Sequence, residues 1–97
     1  MRTVVLDGEK IQNREMLHDV LAEGLNFPEW YGRNLDALFD CLTDLRSGAK
    51  IVLCREELLR EKLGAYADVL VKVFCEAMEE NASLQIERVK DFPDLEK

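Results

Sequence analysis

Residues Pro28 to Thr43 read PEWYGRNLDALFDCLT, and this stretch organises the rest of the chain. Pro28 blocks a helix arriving from upstream. Trp30-Tyr31-Gly32 reads as a loop, and Asn34 as the N-cap of a new helix. On that helix Leu35, Leu38, Phe39, Leu42 and Leu45 share one face, while Asp36, Asp40 and Asp44 recur at i, i+4 and i+8 on the other. Like charges four residues apart repel by about 0.2–0.5 kcal/mol per pair. Asp44 also lies near the helix C-terminus, where the macrodipole disfavours an anion. Selection for folding alone would not favour this stripe. It suits the docking of something basic, and a solvated helix face is the duller alternative.

Working outward, Thr3 to Leu6 is a short apolar run ended by Asp7-Gly8, which predicts a buried strand and a turn. Asn13 predicts the cap of a helix that runs to about Glu23 and stops at Gly24, with Met16, Leu17, Val20 and Leu21 facing inward. Downstream, Ser47-Gly48 is expected to end the acidic helix, and Ile51 to Cys54 predicts a second apolar strand. Glu56 to Leu63 reads as a short helix stopped by Gly64. Tyr66, Val69, Leu70, Val73, Phe74, Ala77 and Met78 then mark the inner face of a long helix to Glu80, with Asn81 as its breaker. Leu84, Ile86 and Arg88 alternate with Gln85 and Glu87, which predicts a third strand ending near Val89. Residues 90–97, KDFPDLEK, read as a loosely ordered polar tail, in which Phe92 and Leu95 either cover a sheet edge or do nothing.

Strands separated by helices pair in parallel through right-handed crossovers. The expectation is therefore an α/β fold, a small three-stranded parallel sheet packed with about four helices. It forms one domain over residues 1–89, without internal repeat or linker.

Composition narrows the function. A net charge of −7 repels phosphate backbones, so direct nucleic-acid binding is disfavoured. No apolar run approaches the ~18 residues needed to span a bilayer, and the opening Met-Arg-Thr-Val-Val-Leu-Asp reads as a strand rather than a signal peptide. The three cysteines, Cys41, Cys54 and Cys75, lack CxxC or Cys/His spacing, so reduced thiols in the cytoplasm are expected, with no metal site.

The pattern PE-aromatic-Tyr-Gly-x-Asn-Leu-Asp-Ala-Leu-aromatic-Asp-Cys-Leu-Thr resembles the barstar family of intracellular ribonuclease inhibitors. The Asp7 to Ile11 turn DGEKI, Leu17-His18, and Phe74-x-Glu76-Ala77 with Glu80 fall in register with it, so the resemblance covers most of residues 1–89. It implies the same small parallel sheet with about four helices. It further implies a cytoplasmic, reversible, one-to-one inhibitor of a basic ribonuclease of the barnase type, guanyl-preferring and secreted or toxin-like. No cofactor, membrane or direct nucleic-acid contact is implied.

Carried over to this sequence, the resemblance makes Asp40 the anion that enters the enzyme's phosphate site and Asp36 a second acidic contact. Trp30 matches an aromatic that packs on the catalytic histidine, while Gly32 and Asn34 match close-approaching loop residues. Thr43 is a contact at the far end of the helix, and Glu76 and Glu80 are acids on the rim. Phe39 borders the interface in the family, although helical periodicity reads it as core. Trp30 and Tyr31 are likewise open to reading as contacts or as core aromatics that anchor the loop.

Two places depart from the family pattern. Arg33 stands where an acid is usual and is expected to pair with Asp36. Asp44 and Leu45 replace a glycine and a tryptophan of the rim, and Asp44 is counted with the partner-binding residues. Both departures suggest a different or shifted cognate enzyme.

Duller readings accompany the remaining residues. Glu79 reads as a solubilising charge, lone His18 as a hydrogen-bonded structural residue, and Cys41 as a small buried side chain.

Two other classes of function compete. Catalysis or hard-cation binding by Asp36, Asp40 and Asp44 is disfavoured because one helical face supplies ligands in a line. The sequence also lacks a nucleophile elbow, a P-loop and a metal-binding His pair. A barstar-like adaptor for some other basic protein has the same fold and face, because complementarity specifies a charge pattern and not its owner.

Overall fold

A computed structural model describes residues 2–90 of the chain. Of the expected tail only Lys90 is among them, and Phe92 and Leu95 lie outside. Seven elements follow in the order β1 (Arg2–Asp7), α1 (Arg14–Leu25), α2 (Leu35–Thr43), β2 (Ala49–Cys54), α3 (Glu56–Leu63), α4 (Ala65–Glu80) and β3 (Leu84–Val89).

The strands form one parallel sheet in the order β1-β2-β3. Central β2 is almost wholly buried, as expected for a parallel strand covered on both faces. Its Leu53 pairs in register with Leu6 of β1 and Arg88 of β3. Phe74, Leu6, Leu53, Leu38, Leu42 and Leu70 are among the fully buried side chains that join the sheet to the helices. The anticipated α/β architecture, a three-stranded parallel sheet with four helices, is the one observed.

Several boundaries differ from the sequence reading, each for a local reason. α1 is capped by Asn13, whose Oδ1 accepts from the Met16 N–H at 2.9 Å. It does not stop at Gly24 but continues to Leu25 and closes on Asn26 in the left-handed conformation. Gly24 is a packing glycine instead. A Cβ there would lie 1.7 Å from Val4 Cγ2, so its missing side chain lets α1 approach β1. Met16 and Val69, assigned inward faces by periodicity, are among the exposed large apolar side chains, because each sits at the margin of its helix's buried stripe.

The acidic helix ends earlier than Ser47-Gly48. α2 stops at Thr43, Asp44 is its C-cap, and Leu45 lies beyond it. The Asn81 side-chain amide, just past α4, donates to the carbonyls of Leu42 at 2.9 Å and Leu45 at 2.8 Å. Those bonds satisfy acceptors that a helix end leaves open. They also bind the C-terminal ends of α2 and α4 together, and these two helices pack side by side.

Candidate partner-binding face

The loop between α1 and α2 is built from its buried side. Tyr31 is 6% exposed, its ring centroid lies 4.9 Å from that of Phe27, and its backbone N–H donates to the Pro28 carbonyl at 3.0 Å. Its neighbour Trp30 is 80% exposed. The two aromatics thus divide the readings left open by the sequence, Tyr31 as the loop's anchor and Trp30 as a surface group. The Tyr31 phenol is shifted well above its ordinary range, chiefly by burial and secondarily by the neighbouring Cys41 thiol. It stays protonated as a hydrogen-bonding group.

Beyond Tyr31 the backbone is held tightly. Gly32 is exposed, and a Cβ there would meet Ala37 Cβ and Asn34 Nδ2 at 3.2 Å. Asn34 is occupied as the cap of α2, its Oδ1 accepting from the Ala37 N–H at 2.8 Å while its amide donates to the Gly32 carbonyl at 3.3 Å. Arg33 adopts a left-handed φ of 57°. This conformation turns its guanidinium away from Asp36 and towards α1, where it pairs with Asp19 and donates to the Glu15 carbonyl at 3.1 Å. The expected Arg33–Asp36 pair is therefore corrected, and Asp36 has no ion-pair partner among the described residues.

Two shallow depressions meet at Asp40. One, of about 450 Å³, runs between α2 and α4 and is lined by Asp36, Phe39, Asp40, Val73 and Glu76. The other, of about 620 Å³, lies between the loop and α2, with Trp30, Gly32, Asp40, Cys41, Asp44 and Leu45 among its walls. Asp40 stands on the ridge between them. Phe39 is half-buried and packs against the core while bordering the first depression, so its two readings coexist.

Thr43 and Glu80 stand apart from this arrangement. The Thr43 hydroxyl donates back to the carbonyls of Phe39 at 3.0 Å and Asp40 at 3.1 Å. Glu80 is exposed on the last turn of α4 and is not among the side chains lining either depression.

The acids of this face are clustered and, among the described residues, free of ion pairs. Among the described residues, the ion pairs employ Asp7 and Glu9 with Arg55, Asp19 with Arg33, and Glu56 and Asp68 with Arg60. Glu56 also pairs with Arg88, and Glu87 with Lys50. Asp36, Asp40, Asp44, Glu76 and Glu80 take part in none of them. The resulting field reaches Cys41, whose thiol is pushed up by burial and then by Asp40 and Asp44. Cys41 is half-buried in the second depression rather than in the core, and the raised pKa keeps it a thiol rather than a nucleophilic thiolate.

Among the described residues no group of three or more His, Cys, Asp or Glu side chains is placed to hold a metal ion. Among the described residues no helix is long and apolar enough to cross a membrane. The sequence reading missed Val73 as a wall residue and Asn81 as the tie behind Asp44. Val73 was legible in principle, because it lies three residues before Glu76 on the same helical face.

His18, read as structural, is buried, with its ring nitrogens 2.6 Å and 2.7 Å from the hydroxyls of Tyr31 and Tyr66. Burial, followed by the Arg33 charge, holds its pKa below the ordinary histidine value, against the smaller opposing effect of Asp19.

Comparison with known proteins places this geometry in context. The family model described as "Barstar (barnase inhibitor)" matches residues 1–90. A Bacillus subtilis (strain 168) protein with the printed name "Putative ribonuclease inhibitor YrdF" is 47% identical over 81 residues. The match covers 82% of this chain and 89% of the relative.

Proposed function

The chain belongs to the barstar family, and on that premise we propose that it inhibits a basic ribonuclease by blocking the enzyme's active site with the α2 face. The observation that carries this reading is the gathering of Asp36, Asp40, Asp44 and Glu76 about two depressions that meet at Asp40, beside an exposed Trp30, with none of the four in an ion pair among the described residues. The partner is a barnase-type enzyme in a one-to-one complex, and this chain performs no catalysis of its own.

The mechanism follows from what a ribonuclease must present. Its active site holds a polyanion, so Arg, Lys and His surround a concave floor. Carboxylates accept bidentate hydrogen bonds from Arg much as phosphate does. Asp40, on the ridge between two depressions, enters the phosphate site. Asp36 and Glu76 meet the surrounding cations from one side and Asp44 from the other, with Glu80 adding long-range field from the end of α4. Trp30 and Gly32 form an apolar, close-fitting rim against the catalytic histidine.

Asn34 and Thr43 supply polar contacts at the two ends of α2 and also shape the helix. Asn34 caps the helix and the Thr43 hydroxyl donates to the Phe39 carbonyl, while the Thr43 oxygen and the second Asn34 amide N–H keep capacity for the partner. Rigid carriage on a capped helix lowers the ordering cost of binding.

The test is stoichiometric inhibition of a barnase-type ribonuclease, followed by association kinetics at increasing ionic strength. Saturation at one inhibitor per enzyme, with an association rate that falls steeply as salt rises, is expected because opposite fields steer encounter and are screened. An association rate indifferent to salt overturns steering by this face.

A further inference from the structure

His18 is the buried titratable group that the binding face leaves unused. It sits on α1 with 1% exposure. Its Nδ1 lies 2.6 Å from the Tyr31 hydroxyl and its Nε2 lies 2.7 Å from the Tyr66 hydroxyl. One ring therefore bridges α1, the loop and α4. Tyr31 lies between Trp30 and Gly32, so this bridge fixes the rim from beneath while the Arg33–Asp19 pair fixes it from outside.

Proton accounting assigns the donors. A neutral imidazole has one donor nitrogen and one acceptor. Among the described residues, Nδ1 is the hydrogen-bond partner of the Tyr31 hydroxyl, and a buried hydroxyl hydrogen needs an acceptor. Tyr31 therefore donates to Nδ1, and Nε2–H donates to Tyr66. The half-buried Tyr66 can direct its own hydrogen to solvent.

An imidazolium donates from both nitrogens. The Tyr31 O–H would then have to turn away from the ring, and its buried hydrogen would lose the acceptor that Nδ1 supplies. The charged and titratable groups facing the ring are Arg14, Glu15 and Asp19 from α1, Arg33 from the loop, Asp36 from α2 and Tyr66 from α4. Arg33 opposes a charged ring, and Arg14, 4.1 Å over the Tyr66 ring, places a second cation nearby. Asp19 favours the charged ring but is paired with Arg33.

We infer that neutral His18 is a positioning residue for the partner-binding loop, and that its protonation releases Tyr31 and displaces the Trp30–Gly32 rim, making partner binding acid-sensitive. Only the last step rests on the proposed ribonuclease-binding role. The loop's response requires no partner.

The chain has a single histidine and a single tryptophan, so both ends of the coupling can be read without ambiguity. The experiment follows the His18 imidazole by NMR and Trp30 by fluorescence from pH 8 to pH 5, on the full chain and on His18→Gln and Tyr31→Phe. Expected are an Nε2–H tautomer at pH 8, a Trp30 transition with the same midpoint as His18, and loss of that transition in folded His18→Gln. In Tyr31→Phe the His18 midpoint should rise towards its ordinary value, and Trp30 should cease to follow it.

With ribonuclease added, the parent's Kd should rise by up to about tenfold per pH unit below the midpoint, as the competent fraction falls. His18→Gln should lack that component. The inference is overturned if Trp30 is unmoved through the His18 titration, or if folded His18→Gln keeps the same transition. Should His18→Gln not fold, an unchanged His18 midpoint in Tyr31→Phe overturns it equally. Absence of ribonuclease inhibition at pH 8, with the Trp30 response intact, removes the proposed function and leaves this inference standing.

Discussion

Asn81 donates from its side-chain amide to the carbonyl of Leu42 at 2.9 Å, joining the residue after α4 to the last turn of α2. The same nitrogen reaches the Leu45 carbonyl, and its Oδ1 accepts from the Ser83 N–H at 2.9 Å. Asp44 lies between the two tethered carbonyls, so Asn81 fixes where the acidic face ends. Asn81→Ala should lower stability by about 2 kcal/mol, the scale for stranding partly buried polar groups. Urea unfolding should show a lower midpoint with an unchanged m-value. A change within about 0.5 kcal/mol, the range for ordinary surface substitutions, would mean that the tie is incidental.

Trp30 and Tyr31 should respond oppositely to truncation. Trp30→Ala removes a side chain that is 80% exposed, so stability should move by no more than about 0.5 kcal/mol. Ribonuclease affinity should fall by about 2 kcal/mol or more, the threshold for an aromatic interface anchor. In the parent, tryptophan emission should shift to the blue on complex formation as water leaves the ring. Tyr31→Ala should instead unfold more readily, through lost packing on Phe27 and the lost His18 bond.

The buried His18 gives stability a defined dependence on pH. Its folded-state pKa lies below its ordinary value of 6.5, so the unfolded chain binds the proton more readily. Stability from this group is complete above about pH 6.5 and falls as pH drops through the folded value, with a slope of at most about 1.4 kcal/mol per pH unit. Urea midpoints measured between pH 8 and pH 5 should show this loss in the parent and a shallower curve in His18→Gln. Parallel curves would exclude His18 as the source.

Much of this molecule was legible in its sequence, and the exceptions have physical causes. The strands and the long α4 carry strong apolar patterns, so their types and order follow directly from period and turn residues. Gly24 reads as a helix stop because glycine so often is one; only the proximity of Val4 reveals it as a contact between α1 and β1. Arg33 lies three residues before Asp36, but its left-handed backbone sends the guanidinium to Asp19 instead. The acid stripe was visible as spacing. Its freedom from ion pairs among the described residues is not a matter of spacing, and the placing of Glu76 with Asp36 and Asp40 depends on α2 packing beside α4. The Tyr31–His18–Tyr66 bridge spans 48 residues of sequence between His18 and Tyr66, and no local pattern announces it.

The central claim is that Asp40 on its ridge plugs a ribonuclease active site. The most direct measurement is titration of a barnase-type ribonuclease with the parent and with Asp40→Ala, both confirmed folded by circular dichroism. Asp40 pairs with none of the described residues, so its removal should leave folding stability within about 0.5 kcal/mol. The parent should inhibit stoichiometrically, and Asp40→Ala should lose at least about 2 kcal/mol of binding, roughly thirtyfold in Kd. A folded parent without inhibition, or an Asp40→Ala variant that inhibits equally well, would contradict the account.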